Sequence, residues 1–269
     1  GYGGYPELTE RAWGGPGGLA IVYQMWQSER YHKREVYLKP SGSTTGYSVS
    51  YAIEGTNADN DPIECVPQRD FFLMLTTSGQ IKAKGNNSNG VFGVSTPVSS
   101  SEFMTVSGLP TIRGIAAGEG FAAAIDVNGK LWTWGSNSHG QLGRGSQGDV
   151  FPEPEAVTGL SSRIVAIAAG DNHLLALDET GRLHAWGDNS KGQLGADDGN
   201  PLAGSQCHRI AAAGNHSCAI TSSGDLFYWG NGENQPVSID NINFNPVVFN
   251  FEVQERAAAL LPQQAGAFT

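Results

Sequence analysis

At 269 residues the chain exceeds the roughly 100–200 residues of an ordinary domain, yet all-β units reach about 250 in one body, so a single large domain fits. Apolar residues make up 39% and charged residues only 16%, with glycine at 37 positions against a usual share of about 7%; this balance excludes disorder and coiled coil. The net charge of −10, from 16 Lys+Arg against 26 Asp+Glu, repels a phosphate backbone, so no nucleic-acid partner is expected.

No stretch approaches the roughly 18 consecutive apolar residues of a membrane-crossing helix; the longest candidate, 19–25, is interrupted by Tyr23 and Gln24, and no membrane partner is expected. Cys65, Cys207 and Cys218 are odd in number and lack C-x-x-C spacing, which predicts buried or half-buried thiols rather than a disulfide framework or a zinc site. No charged-then-apolar leader follows Gly1, which leaves the compartment open.

Along the chain, residues 1–64 carry Tyr-rich, strand-like runs and read either as one or two degenerate copies of the repeat that follows or as an inserted element. Their basic cluster, Arg30, Lys33, Arg34 and Lys39, reads as a solvated face. A worn repeat copy occupies 65–93. Residues 115–143, IAAGEGFAAAIDVNGKLWTWGSNSHGQLG, and 167–195, IAAGDNHLLALDETGRLHAWGDNSKGQLG, align without a gap and are identical at 16 of 29 positions. A further copy runs from Ile210 to Pro236, and a partial one begins near Val247. The glycine after the aromatic recurs at Gly85, Gly135, Gly187 and Gly230, with spacings of 50, 52 and 43 residues, the length of a four-stranded propeller blade. The expected organisation is one β-propeller domain with repeats at 65–110, 111–162, 163–207 and 208–246 and a partial final blade at 247–269.

Each copy parses into strands. In the copy at 163–207 a small-residue strand, Ile164 to Ala169, is closed by Gly170; a second covers His173 to Leu177, and Glu179-Thr180-Gly181 turns into a third, Arg182 to Trp186. The equivalent triplets Thr77-Ser78-Gly79, Val127-Asn128-Gly129 and Ser222-Ser223-Gly224 also end in glycine, as hairpins with a left-handed last residue require. Alanine is a poor strand former, so its dominance in the first two strands implies packing close to a shared axis. Trp134, Trp186 and Trp229 then stand farther out, between neighbouring blades. Phe251 to Leu261 has helical composition, but its alignment with the repeat favours a strand.

The small-residue strand, the glycine, a His three residues on and the string W-G-x-N-x-x-G-Q-L-G together resemble the repeat of the regulator of chromosome condensation family. The match is specific in 115–143 and 167–195, moderate in 210–230 and weak in 65–93, where Lys84-Gly85 replaces Trp-Gly. The resemblance implies an all-β propeller, here of six or seven blades, that binds partners across one face or through its loops. Glu10-Arg11-Ala12-Trp13-Gly14 resembles His184-Ala185-Trp186-Gly187, so the N-terminal segment is expected to complete the final blade and bring Trp13 near Phe268, unless the sequence is cut mid-repeat.

Chemistry is sparse. His173 and His216 share a repeat position with Phe71 and Phe121, which asks for a flat ring rather than a proton shuttle, and no H-x-x-x-H spacing announces a metal. The acidic stretches 57–61 and 197–200 lack the bidentate Glu of a calcium loop, and no nucleophile elbow, phosphate loop or dinucleotide fingerprint occurs. No cofactor is expected. The Asn-rich turns after W-G read as Asx-turn chemistry. Recognition should lie where the copies differ, in 94–101, 144–154, 196–206 and 232–245, with Phe103, Phe151, Phe244 and Arg144 as partner-binding residues. The expected function is a non-enzymatic scaffold binding another protein through these loops. The alternatives are guanine-nucleotide exchange on a small GTPase, implied by the family's namesake, and a propeller lyase or glycosidase with carboxylates on the axis. The last is opposed by acids that read as confined to turns and loops.

Overall fold

The computed structural model describes the backbone of the strands within residues 10–62 and, with side chains, residues 63–145, 148–196 and 199–238. Among these residues there is no helix, and every strand pairing is antiparallel. The first sheet holds β1 (Glu10–Gly15), β2 (Gly18–Ser28), β3 (Tyr31–Pro40) and β4 (Ser48–Gly55). The second holds β5 (Pro62–Pro67), β6 (Phe71–Thr76), β7 (Ile81–Asn86) and β8 (Ser99–Thr105), and the third β9 (Ile112–Ala117), β10 (Phe121–Asp126), β11 (Leu131–Asn137) and β12 (Gly148–Ala156). The fourth has only β13 (Ile164–Ala169), β14 (His173–Asp178) and β15 (Leu183–Gly187); the fifth has β16 (Cys207–Ala213), β17 (His216–Thr221), β18 (Leu226–Gly230) and β19 (Glu233–Ser238).

Each sheet meets the next through the same strands: β1 and β2 lie against β5, β5 and β6 against β9, β9 and β10 against β13, and β13 and β14 against β16. First strands therefore succeed one another around an inner edge, which is the arrangement of a β-propeller. The second strands β6, β10 and β14 are buried at every residue because a sheet covers each face, so they read as continuous apolar runs instead of alternating ones. The strands β1 to β4 form a sheet whose β1 and β2 lie against β5, as β5 and β6 lie against β9. Trp13 lies in β1, opposite Ala20, whereas the tryptophans of the repeats stand in third strands. The proposed closure with Phe268, the strand or helix at 251–261 and the final blade at 247–269 lie outside the described residues.

Two backbone devices tie the sheets together. At one end, the hairpin glycine of each sheet accepts from the start of the next first strand: Ile112 N to Gly79 O (2.9 Å), Ile164 N to Gly129 O (2.8 Å) and Cys207 N to Gly181 O (2.7 Å). At the other, Glu119 N donates to Asp171 O (2.6 Å) and Asp171 N to Gly214 O (2.8 Å). Side chains add a third. Trp134, fully buried, donates its indole N–H to Val91 O on the preceding sheet (2.9 Å), and Trp229 does the same to Gln193 O (2.9 Å). Trp186 lies over Gly143, where a Cβ would come within 3.1 Å of the ring. The indoles thus fill the gaps between sheets as the sequence implies.

The glycine after each aromatic has a positive φ and no room. At Gly187 a Cβ would lie 2.3 Å from Asn172 O and 2.8 Å from His173 Cα, both backbone atoms of the partner strand or its approach. The same close approach recurs at Gly85, Gly135 and Gly230.

The segments 94–101 and 144–154, which read as loops, run into the fourth strands β8 and β12. Their pattern is obscured because they are exposed outer edges, closed by local means. In β8 a bulge opposite β7 lets the Ser100 hydroxyl accept from Glu102 N (3.1 Å) and donate to Glu102 O (2.7 Å), while β12 carries Pro152 and Pro154 and β19 carries Pro236. Among the described residues the fourth sheet has no fourth strand, and Gly199 O meets its edge, accepting from Ala185 N (2.8 Å). A groove of about 600 Å³ remains there, walled by Pro201, Leu202, Phe227 and Pro236.

Gly187→Ala is expected to cost more than about 3 kcal/mol in urea denaturation, because backbone must move, whereas Gly204→Ala, also at positive φ but with open space around it, costs only about 1–2 kcal/mol of backbone strain.

Candidate functional site

Antiparallel alternation brings the loops between first and second strands (68–70, 118–120, 170–172 and 214–215) to the same face as the loops leaving the third strands (87–98, 138–145 and 188–196). The latter are held rigidly. The Asn87, Asn137 and Asn189 carboxamide oxygens each accept a backbone N–H five residues on, from Phe92 (2.8 Å), Leu142 (3.1 Å) and Leu194 (3.0 Å). Gln141 and Gln193 accept from His139 N (2.9 Å) and Lys191 N (2.8 Å) within the same loops. The expected Asx turn sits one residue earlier, where Asn86 accepts from Ser88 N (2.7 Å) and Asp188 from Ser190 N (2.8 Å). Burial pushes the Asp188 carboxyl up, but hydrogen bonds from Ser190 and the field of His139 more than offset this and leave it below its ordinary value.

On this face, between the second and third sheets, lies a pocket of about 100 Å³. Its floor is Phe71 and Val91, and Asp70, Glu119 and Asp171 reach it from three successive first-to-second-strand loops, with Arg69 as its cationic member. The volume admits the tip of one side chain, and three acidic residues against one arginine in the lining favour a positive one. Sequence reading missed these acids because an acid in a glycine turn looks like turn chemistry. The available signal was that Glu119 and Asp171 occupy the same repeat column.

The residues singled out for partner binding stand elsewhere. Phe103, half-buried on β8, meets Phe72 edge-on at 5.6 Å with Lys84 Nζ 5.4 Å from its ring. Phe151, half-buried on β12, lies opposite Gly135 beneath the Arg144 guanidinium at 5.6 Å. Arg144 donates to Thr133 O, to Glu153 O (3.3 Å) and to Glu155 Oε2 (3.2 Å), and burial lowers its pKa. Phe244 lies outside the described residues. None of the three placed residues lines the pocket.

His173 is fully buried at the position where Phe121 is also buried, so the flat-ring requirement holds, while His216 is exposed. Its Nε2 lies 2.8 Å from Ser217 Oγ, a nucleophile–base distance, but that hydroxyl donates to Gln193 O (2.9 Å) in a sealed interior. His184 instead bonds Asp178 Oδ2 (3.0 Å) and stacks on Trp186. Among the described residues no group of three His, Cys, Asp or Glu is placed to hold a metal; residues 57–61 and Asp197 and Asp198 fall outside them. Cys65 and Cys207 are buried and Cys218 half-buried, all as free thiols. One acid departs from the expectation that none stands in an axial strand: Glu64 is buried in β5 and accepts from Ile115 N (3.1 Å) on β9.

Sheets that share inner first strands, intersheet indoles and W-G close approaches define a repeat-built β-propeller. Residues 128–177 match the profile of the Regulator of chromosome condensation (RCC1) repeat, and residues 112–141 and 164–193 match a second profile of the same repeat, so residues 112–193 carry RCC1 repeats. It is 37% identical over 131 residues to the X-linked retinitis pigmentosa GTPase regulator homolog of Caenorhabditis elegans, covering 48% of this chain and 10% of that protein. With human Protein RCC2 the identity is 50% over 72 residues (26% and 14%), and with the bovine Secretion-regulating guanine nucleotide exchange factor 34% over 136 residues (46% and 29%). The chain therefore spans less than a third of each of these relatives. The crystal structure of Prp20p from Saccharomyces cerevisiae, described with its binding properties to Gsp1p and histones, superposes with a TM-score of 0.64 at 20% identity over 80% of this chain and 62% of that one. Human WBSCR16 superposes at 0.59 and 17% identity over 82% and 64%. These structural likenesses concern the fold.

Replacing Arg144 by Ala should lower unfolding free energy by about 2 kcal/mol, since the Thr133 and Glu153 carbonyls lose a donor and Phe151 loses its cover, whereas Glu155→Ala, at the exposed end of the ion pair, should cost under about 1 kcal/mol. Thermal denaturation of the two variants side by side checks this.

Proposed function

We propose that this chain is a non-catalytic propeller that docks another protein by receiving a Lys- or Arg-rich segment on the face carrying the first-to-second-strand loops. The observation that carries this reading is the convergence of Asp70, Glu119 and Asp171 on one pocket. The net charge of −10 supports it by drawing a basic partner toward the surface, and the loop pinned by Asn86 and Asn87 beside the pocket supports it by presenting a preorganised wall. Phe103, Phe151 and Arg144 then serve the perimeter of the second and third sheets, shaping the rim of that platform.

Guanine-nucleotide exchange on a small GTPase is the second reading, favoured by the likeness over 136 residues to a guanine nucleotide exchange factor. A lyase or glycosidase needs paired axial carboxylates, and Glu64 is bonded to a neighbouring strand's N–H, which leaves it poorly placed for acid–base work.

The test uses Lys/Arg-rich histone-tail peptides and their acetylated counterparts as probes, with fluorescence anisotropy as readout. The unacetylated peptides should bind, and the triple variant Asp70→Asn, Glu119→Gln, Asp171→Asn should weaken them at least tenfold at unchanged melting temperature; equal binding by wild type and variant overturns the docking reading. Accelerated release of a fluorescent guanine nucleotide from a panel of small GTPases, abolished in the same variant, would instead favour exchange.

A further inference from the structure

The joint between the fourth and fifth sheets differs from its two predecessors. Between the second and third sheets Phe71 of β6 packs in one apolar cluster with Ala122 of β10, and between the third and fourth Phe121 of β10 packs with Leu174 of β14. At the next joint the corresponding pair is His173 and Ser217.

The Ser217 hydroxyl donates its only hydrogen to Gln193 O (2.9 Å), the same carbonyl that accepts the Trp229 indole N–H (2.9 Å). Ser217 Oγ must then accept from His173, which fixes the proton on Nε2 and leaves Nδ1 bare. Among the described residues Nδ1 is buried without a partner, pressed against the Gly170 backbone, where a Cβ would fall 2.4 Å away. A proton added at Nδ1 creates a buried charge with no acceptor.

We propose that this joint is an acid-released latch: proton uptake at His173 parts the fifth sheet from the fourth while the Phe71 and Phe121 joints hold. The ionisable groups on the elements packed around the ring are Asp171 before β14, Asp178 on β14, His184 on β15, Asp188 and Lys191 after it, Cys207, His208 and Arg209 on β16, His216 and Cys218 on β17, Tyr228 on β18 and Glu233 on β19. Of these, Asp188 alone exerts an appreciable field on the imidazole, favouring its charged form, and burial outweighs it, holding the pKa down to about 4. The sign follows. The released ring takes up its proton below its ordinary value near 6.5, the latched ring only near 4, so opening is promoted about tenfold per pH unit between these values and is insensitive to pH above them.

Amide hydrogen exchange on the full 269-residue chain, corrected for intrinsic rates, tests this. From pH 7 to pH 4.5 the opening constants of Ser217–Ile220 should rise about 100-fold, with those of β6 and β10 changing less than threefold. His173→Phe, which restores the ring of the other joints, should abolish the rise. In the unmodified protein, imidazole nitrogen shifts should show the neutral Nε2–H tautomer persisting to below pH 5. A ring that titrates near 6.5 in the folded chain, acid opening that survives in His173→Phe, or an equal rise in β10 overturns the proposal. The ring titration decides alone if the variant fails to fold.

Discussion

The close approach between each third strand and the loop that precedes its partner strand governs the rest of the molecule. At Gly135 and Gly187 the backbone comes so near Gly120 O and Asn172 O that no side chain fits, and this proximity lets the adjoining tryptophan reach the preceding sheet. With the indole N–H bound to a carbonyl of that sheet, at Val91 or at Gln193, hydrophobic burial and a satisfied polar group coincide in one side chain. The first strands are then brought together at the inner edge, where alanines fit and larger residues would push the sheets apart. The intersheet backbone bonds from the hairpin glycines follow from the same spacing.

This constraint leaves a strong imprint on sequence, which is why the repeat, the hub and the indole positions are legible without coordinates. A glycine that admits no substitute and a tryptophan with a fixed acceptor recur at fixed offsets. Fourth strands are less legible. β8 and β12 are outer edges whose prolines, serines and bulges suppress the alternating pattern by which strands are recognised, so their first residues resemble loops. The N-terminal sheet was legible as strand-like, but its relation to β5 depends on long-range packing with no repeat signature.

The candidate site was the least legible part. Asp70, Glu119 and Asp171 are separated by about 50 residues each in sequence and converge only because successive sheets are rotated about a common axis. Phe103 and Phe151 drew notice as apolar residues in polar stretches, and the structure supplies their reason in Phe72, Lys84 and Arg144. His173 shows both outcomes in one residue: its aromatic role is visible from Phe71 and Phe121, but the Ser217 hydroxyl that sets its tautomer lies 44 residues away.

Among the described residues the fourth sheet is narrower than its neighbours by one strand, about 4.8 Å of width. Repeats of such similar sequence would otherwise offer a partner several nearly equivalent azimuthal orientations. The notch beside Pro201 and Phe227 breaks that degeneracy, because the surface at this joint matches none of the other described joints.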